Sequence, residues 1–174
     1  NFFADPLPIT NPYTNEYFND SQLFNIYFKI KNSTYVMPTL FHLFFISAFD
    51  IDTFLNDNEC TLRDFSINKY YKTLTSEQKF KHIKNIIIKN RTTIPSVNTC
   101  LRIAPNMCRD NILLHMTPFL HDYLHCTFSL NPSKKFLCQE KLRKGLRRLQ
   151  RSIIKNEIDI IKKDKPFAKN NRFY

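Results

Sequence analysis

One glycine, Gly145, stands among 174 residues, and there is no tryptophan. Dinucleotide fingerprints, phosphate-binding loops and nucleophile elbows each need several glycines, because their backbone takes positive φ or passes close to a phosphate. Their absence removes most nucleotide-dependent enzymes and the common serine hydrolase architecture. Cysteine is short in another way: there are five, an odd number, and no C-x-x-C pair. That does not read as a secreted disulfide framework, and a reducing compartment is expected. Long apolar runs are missing too. The longest, Leu40 to Phe49, is interrupted by His42 and Ser47. It falls short of the roughly 20 residues of a bilayer span and is expected as a core helix. The chain opens at Asn1 without Met, so further residues are expected to precede it, any signal or transit segment among them.

What is abundant is aromatic and basic. Seventeen Phe and eight Tyr, with much Asn, Lys and Ile, look like the product of an AT-rich coding sequence, so where the charges lie tells more than how many there are. From Asn1 to Ser133 there are 12 Lys+Arg and 11 Asp+Glu; from Lys134 to Tyr174 there are 14 and 4. Ten of the eleven net positive charges therefore sit in the last stretch, along with five of the nine Arg. Arginine pairs with phosphate through a planar fork, and the pattern reads as a polyanion contact. A solvated face, or a surface for acidic protein or membrane, is the alternative.

The apolar spacing predicts an all-α fold: a small helical core with an extended N-terminal arm and a long basic C-terminal helix and tail. Residues 1–34 hold the arm, with Pro6, Pro8 and Pro12 among irregular aromatics, then a segment from Ser21 to Ile30 that is a short helix or a strand. In 35–91 three helices are expected. The first starts at Pro38 and carries Leu40, Phe41, Phe44, Phe45, Ala48 and Phe49; the second opens on a Thr61/Asp64 capping box and ends near Lys72. The third opens on Thr75 and Gln78, carries Phe80, Ile83, Ile86 and Ile87, and runs to about Arg91 before Pro95 stops it. Residues 92–130 complete the core: a loose stretch from Thr92 to Cys108, then helices at Asp110–His115 and Pro118–Phe128 with Leu113, Leu114, Phe119, Leu120, Tyr123 and Leu124 inside. Residues 131–174 begin with Asn131 as N-cap and Pro132, then follow Leu142, Leu146, Leu149, Ile153 and Ile160 as one helix of about 30 residues, reaching toward Pro166.

Two runs in 35–91, Pro38-Thr39-Leu40-Phe41-His42-Leu43-Phe44-Phe45 and Tyr70-Tyr71-Lys72-Thr73-Leu74-Thr75-Ser76-Glu77-Gln78-Lys79-Phe80, resemble an HMG box. They are similar to the start of that family's first helix and to its turn between the second and third. Tyr71 stands where the family usually has Trp, and the stretch balances only about +2 where such boxes are strongly basic. The resemblance implies minor-groove binding with apolar wedges such as Phe44 or Phe45, and duplex bending.

Chemistry-bearing groups are sparse. Cys100, Cys108, His121 and His125 give C-x7-C-x12-H-x3-H, whose second half has zinc-finger spacing. Its first half does not, so these read as core cysteines and satisfied histidines, and no metal or cofactor is expected. Cys108 or Cys126 with His115 or His125 lacks an orienting group and an oxyanion loop, so no catalytic residue is assigned. The basic residues expected to hold nucleic acid are Lys141, Arg143, Lys144, Arg147, Arg148, Arg151, Lys155, Lys162, Lys163 and Arg172. Phe167, Phe173 and Tyr174 are available to stack on bases.

A small core joined to basic extensions resembles the layout of organellar ribosomal proteins. The expectation is a non-enzymatic, mitochondrial rRNA-binding protein with neighbouring ribosomal proteins as partners and no transmembrane segment. An HMG-box-type DNA-binding nucleoid or transcription factor, and an interaction subunit of a membrane-associated complex, are the alternatives.

Overall fold

The computed structural model describes residues 8–103, 106, 108–155 and 160. Among them the protein is all-α: α1 Asp20–Lys31, α2 Thr39–Ile46, α3 Ile51–Asp57, α4 Glu59–Thr73, α5 Ser76–Lys89, α6 Pro95–Ile103, α7 Arg109–Met116, a 3-10 turn Thr117–Phe119, α8 Leu120–Phe128 and α9 Pro132–Ile154. No described helix is long and apolar enough to cross a membrane. The chain divides into two compact units, one of Asn1–Lys69 with Phe128–Asn131, the other of Tyr70–Thr127 with Pro132–Tyr174. The stretch 35–91 contains α2 to α5 and belongs to both units.

In the first unit, the described part of the arm is not extended. It doubles back, with the Asn11 amide donating to the Glu16 carbonyl (2.8 Å), the Phe18 amide to Ile9 (3.1 Å), and Asn15 at positive φ in the bend. Asn19 and Gln22 then cap α1 reciprocally, which settles the Ser21–Ile30 ambiguity as a helix. Its Leu23 and Tyr27 pack with Phe44, Phe49, Phe54 and Leu62. Tyr27 lies flat on Phe45 at 3.7 Å, and its hydroxyl hydrogen-bonds His42 Nδ1 at 2.8 Å. Phe44 is buried and Phe45 is covered on one face, so neither ring stands out as a free wedge.

The helix expected from Pro38 through Phe49 breaks after Ile46. The Phe49 amide reaches the Phe44 carbonyl and the Ala48 amide the Phe45 carbonyl, both at 3.0 Å, while the Phe44 and Phe49 rings meet edge-on at 5.2 Å. This is the hydrogen-bond pattern and apolar clasp of a Schellman stop. Glycine usually takes the left-handed position; here Ala48 (φ 51°) and Phe49 (φ 61°) take it. Asp50 then caps α3 by accepting from the Thr53 amide at 2.7 Å, and the Thr53 side chain, followed by this amide, lowers its carboxyl pKa. Ala48 is exposed, so Ala48→Gly relieves the left-handed penalty without losing packing. A net gain of about 0.5–1 kcal/mol is expected after the added freedom of the unfolded chain, read as a raised urea midpoint. An unchanged midpoint would contradict the assignment.

Three further expectations are corrected. α4 begins at Glu59, with Thr61 already inside it, and Asp64 accepts a hydrogen bond from the buried Ser129 hydroxyl at 2.8 Å instead of serving as a capping-box partner. Pro95 does not merely end a helix. It opens α6, where a missing N–H costs nothing. In α7 the buried stripe is Ile112 and Met116, four apart, which turns Leu114 outward at 68% exposure and leaves Leu113 half-buried.

The second unit is built on α5, opened by the expected Thr75/Gln78 capping box and burying Phe80, Ile83, Ile86 and Ile87. α5 packs on α6 and α7, α6 packs also on α9, and α9 meets the 3-10 turn. Leu120, Tyr123 and Leu124 of α8 are buried as expected, and Phe119 is half-buried.

Candidate nucleic-acid interface

α9 has 23 residues, about 34 Å at 1.5 Å per residue, and its described span ends at Ile154; most of the expected continuation toward Pro166 lies outside the described residues. Ile160, expected on the helix stripe, is buried beyond the helix end, where its carbonyl accepts from Asn111 Nδ2 at 3.3 Å. Lys162, Lys163, Arg172, Phe167, Phe173 and Tyr174 lie outside the described residues, as do Phe2 and Phe3.

Cys138, Leu142, Leu146 and Leu149 form the inward stripe of α9, with Ile153 half-buried. Gln150 joins them, donating to Ser96 Oγ at 2.8 Å and accepting from the Ser96 amide. At about 100° per residue, Lys141, Arg143, Lys144, Arg147, Arg148, Arg151 and Lys155 fall on an arc of roughly 160° opposite that stripe. All seven are exposed. Among the described residues only Arg143 of the seven finds an acid, Glu140 at 3.2 Å. The stripe anchors the helix and leaves the cations toward solvent in two rows. The charge also divides by unit: the first holds 4 Lys+Arg and 8 Asp+Glu, the second 22 and 7, or −4 against +15.

Gly145 lies where α9 meets the 3-10 turn. A Cβ there would stand 2.5 Å from Cε1 and 3.0 Å from Cδ1 of Phe119, so the glycine serves packing. Helix propensity alone would make Gly145→Ala stabilising by about 1 kcal/mol. Displacing the Phe119 ring costs about 1–3 kcal/mol, and a net loss near 1 kcal/mol is expected. In a Phe119→Ala background the same change should turn stabilising; additive behaviour in that double-mutant cycle would refute the contact.

The groups singled out for metal or nucleophilic chemistry are disposed otherwise. Cys100 and Cys108, expected as core cysteines, are buried but form a disulfide, which uses up both thiols. Cys108 is therefore no nucleophile, and neither sulfur can serve as a thiolate ligand while the bond stands. The His121 and His125 rings lie 4.6 Å apart with Tyr71 edge-on to His121, and among the described residues no group of three or more His, Cys, Asp or Glu is placed to hold a metal ion. Cys138 is buried, and burial, with Asp122 beside it, pushes its thiol pKa up.

Spacing gave no warning of a second polar feature in this unit. The Tyr70 hydroxyl and His82 Nε2 share a hydrogen bond at 2.9 Å, and burial, with a smaller effect of Lys81, lowers the His82 pKa. The unfolded chain thus takes up the proton first. Stability contributed by neutral His82 is complete above about pH 6.5 and is lost as pH falls below that value toward the lowered folded pKa. The urea midpoint should drop between pH 7.5 and 5.5, and drop less in His82→Gln; equal slopes in the two proteins would contradict this.

Against known proteins, no family model, no curated protein and no solved structure matches the chain.

Proposed function

We propose that the protein is a non-catalytic structural component of a ribonucleoprotein, with the mitochondrial ribosome the assembly its layout favours, and that it holds rRNA on the outer face of α9. One observation carries the reading: seven exposed cations, four of them Arg, lie opposite a stripe that is already buried. Such a face neutralises phosphates along a backbone, releases counterions, and needs no pocket or cofactor. Arg143, Lys144, Arg147, Arg148 and Arg151 supply most of the contact, while the acidic balance of the first unit suits it to neighbouring proteins more than to RNA.

The test is binding of the full chain to structured RNA, duplex DNA and anionic vesicles at equal ionic strength. Tightest binding to RNA is expected. Preference for duplex DNA accompanied by bending would replace the reading with a DNA-packaging one, and preference for vesicles with a membrane-surface one.

A further inference from the structure

We propose that Phe136 is a base-stacking residue, so that the RNA held by α9 presents an unpaired base beside the phosphates its cations track. This inference rests on the RNA-binding reading above and names the kind of RNA. Phe136 is the fifth residue of α9 and is 68% exposed, and among the described residues no ring or cation packs on it. On the helix it lies about 120° from Leu142, between the directions of Arg143 at about 100° and Arg147 at about 140°. It therefore heads the same row, roughly 10 Å and 16 Å before those two residues along the axis.

A phenyl ring in line with guanidinium groups matches the pairing of stacking platform and cationic track by which proteins hold single-stranded segments. Duplex RNA hides its base faces, whereas loops and bulges expose them to aromatic side chains. A lipid surface fits the same face poorly. Lying on a membrane requires a continuous apolar stripe, and that of α9, Leu142, Leu146 and Leu149, is already buried in the protein. The outer face offers Phe136 and Leu137 near one end and Ile154 at the other, with cations between.

The chain has no tryptophan, so Phe136→Trp places a single indole reporter at this position. Its fluorescence should be quenched by an RNA hairpin with an unpaired loop and not by a blunt RNA duplex of equal length. Phe136→Ala should weaken hairpin binding about tenfold or more with an unchanged salt slope and unchanged duplex affinity, and Phe136→Tyr should restore it. Hairpin binding without quenching, or equal weakening of hairpin and duplex binding by Phe136→Ala, would overturn the stacking role while leaving RNA binding intact. Brighter, blue-shifted emission on anionic vesicles, with binding tighter than to RNA, would assign the ring to lipid and overturn it too. Failure of the unaltered chain to bind any RNA would remove the parent reading itself.

Discussion

Replacing Lys141, Lys144, Arg147 and Arg148 together by glutamine is expected to weaken binding to structured RNA about a thousandfold near 0.15 M salt. Each phosphate neutralised contributes about 0.9 to the slope of log affinity against log salt, so four lost contacts flatten that slope by roughly four. The same figure extrapolated from 1 M salt gives the loss in affinity. Stability should change by less than about 0.5 kcal/mol per site, because all four side chains are exposed, glutamine is a good helix former, and none of the four has an acid partner among the described residues. Substitution is the right instrument here. Truncation before α9 would remove Leu142, Leu146 and Leu149 from the interior and unfold the second unit, confounding lost contact with lost fold. A variant that is folded, binds as the parent does and keeps its salt slope would show that this face is merely solvated.

Reduction of the protein is expected to cost it about 2–3 kcal/mol. The disulfide closes a short loop, eight residues apart in sequence, between the end of α6 and the start of α7. Chain-entropy scaling for a loop of that size gives this magnitude. For a chain of this length the melting temperature should fall by about 5–10 °C when a reductant is added. A Cys100→Ser/Cys108→Ser protein should melt near the reduced value and ignore reductant. Both positions are buried, as is Cys138, but Cys60 is exposed and Cys126 half-buried, so a Cys60→Ser background removes the thiol most open to exchange. Identical melting of oxidised and reduced protein would contradict the bond. Persistence of the disulfide where the protein works would also argue for a more oxidising setting than five unpaired-looking cysteines suggest.

Some helix starts were legible, although the Thr61/Asp64 spacing misplaced that of α4 and Pro95 concealed that of α6. Thr75 with Gln78 opens α5 as spacing predicts, and Pro132 opens α9, because capping chemistry is local and involves residues three apart. Helix ends were less so. The stop after Ile46 is invisible in an apolar series that runs on through Ala48 and Phe49, since the residues that take positive φ there are not glycines. Long-range partners were not legible at all. Asp64 looks like a cap until Ser129, 65 residues away, claims it; Ile160 looks like helix stripe until Asn111 draws it back; Cys100 and Cys108 look like unrelated core residues until α6 and α7 bring them together. For the interface, the cationic arc on α9 follows from the sequence and a 100° repeat. That Gly145 exists to admit Phe119, and that Phe136 heads a row of arginines with its ring uncovered, required the packed structure.

On the proposed reading, affinity for RNA comes from phosphate neutralisation by the outer face of α9. The salt dependence of full-length binding to structured RNA measures it most directly. With five to seven phosphate contacts, log affinity should fall with log salt at a slope of about −4 to −6, and affinity should drop by at least a hundredfold between 50 and 200 mM salt. A slope near zero, or tight binding that survives molar salt, would rule out a phosphate-neutralising role for this face.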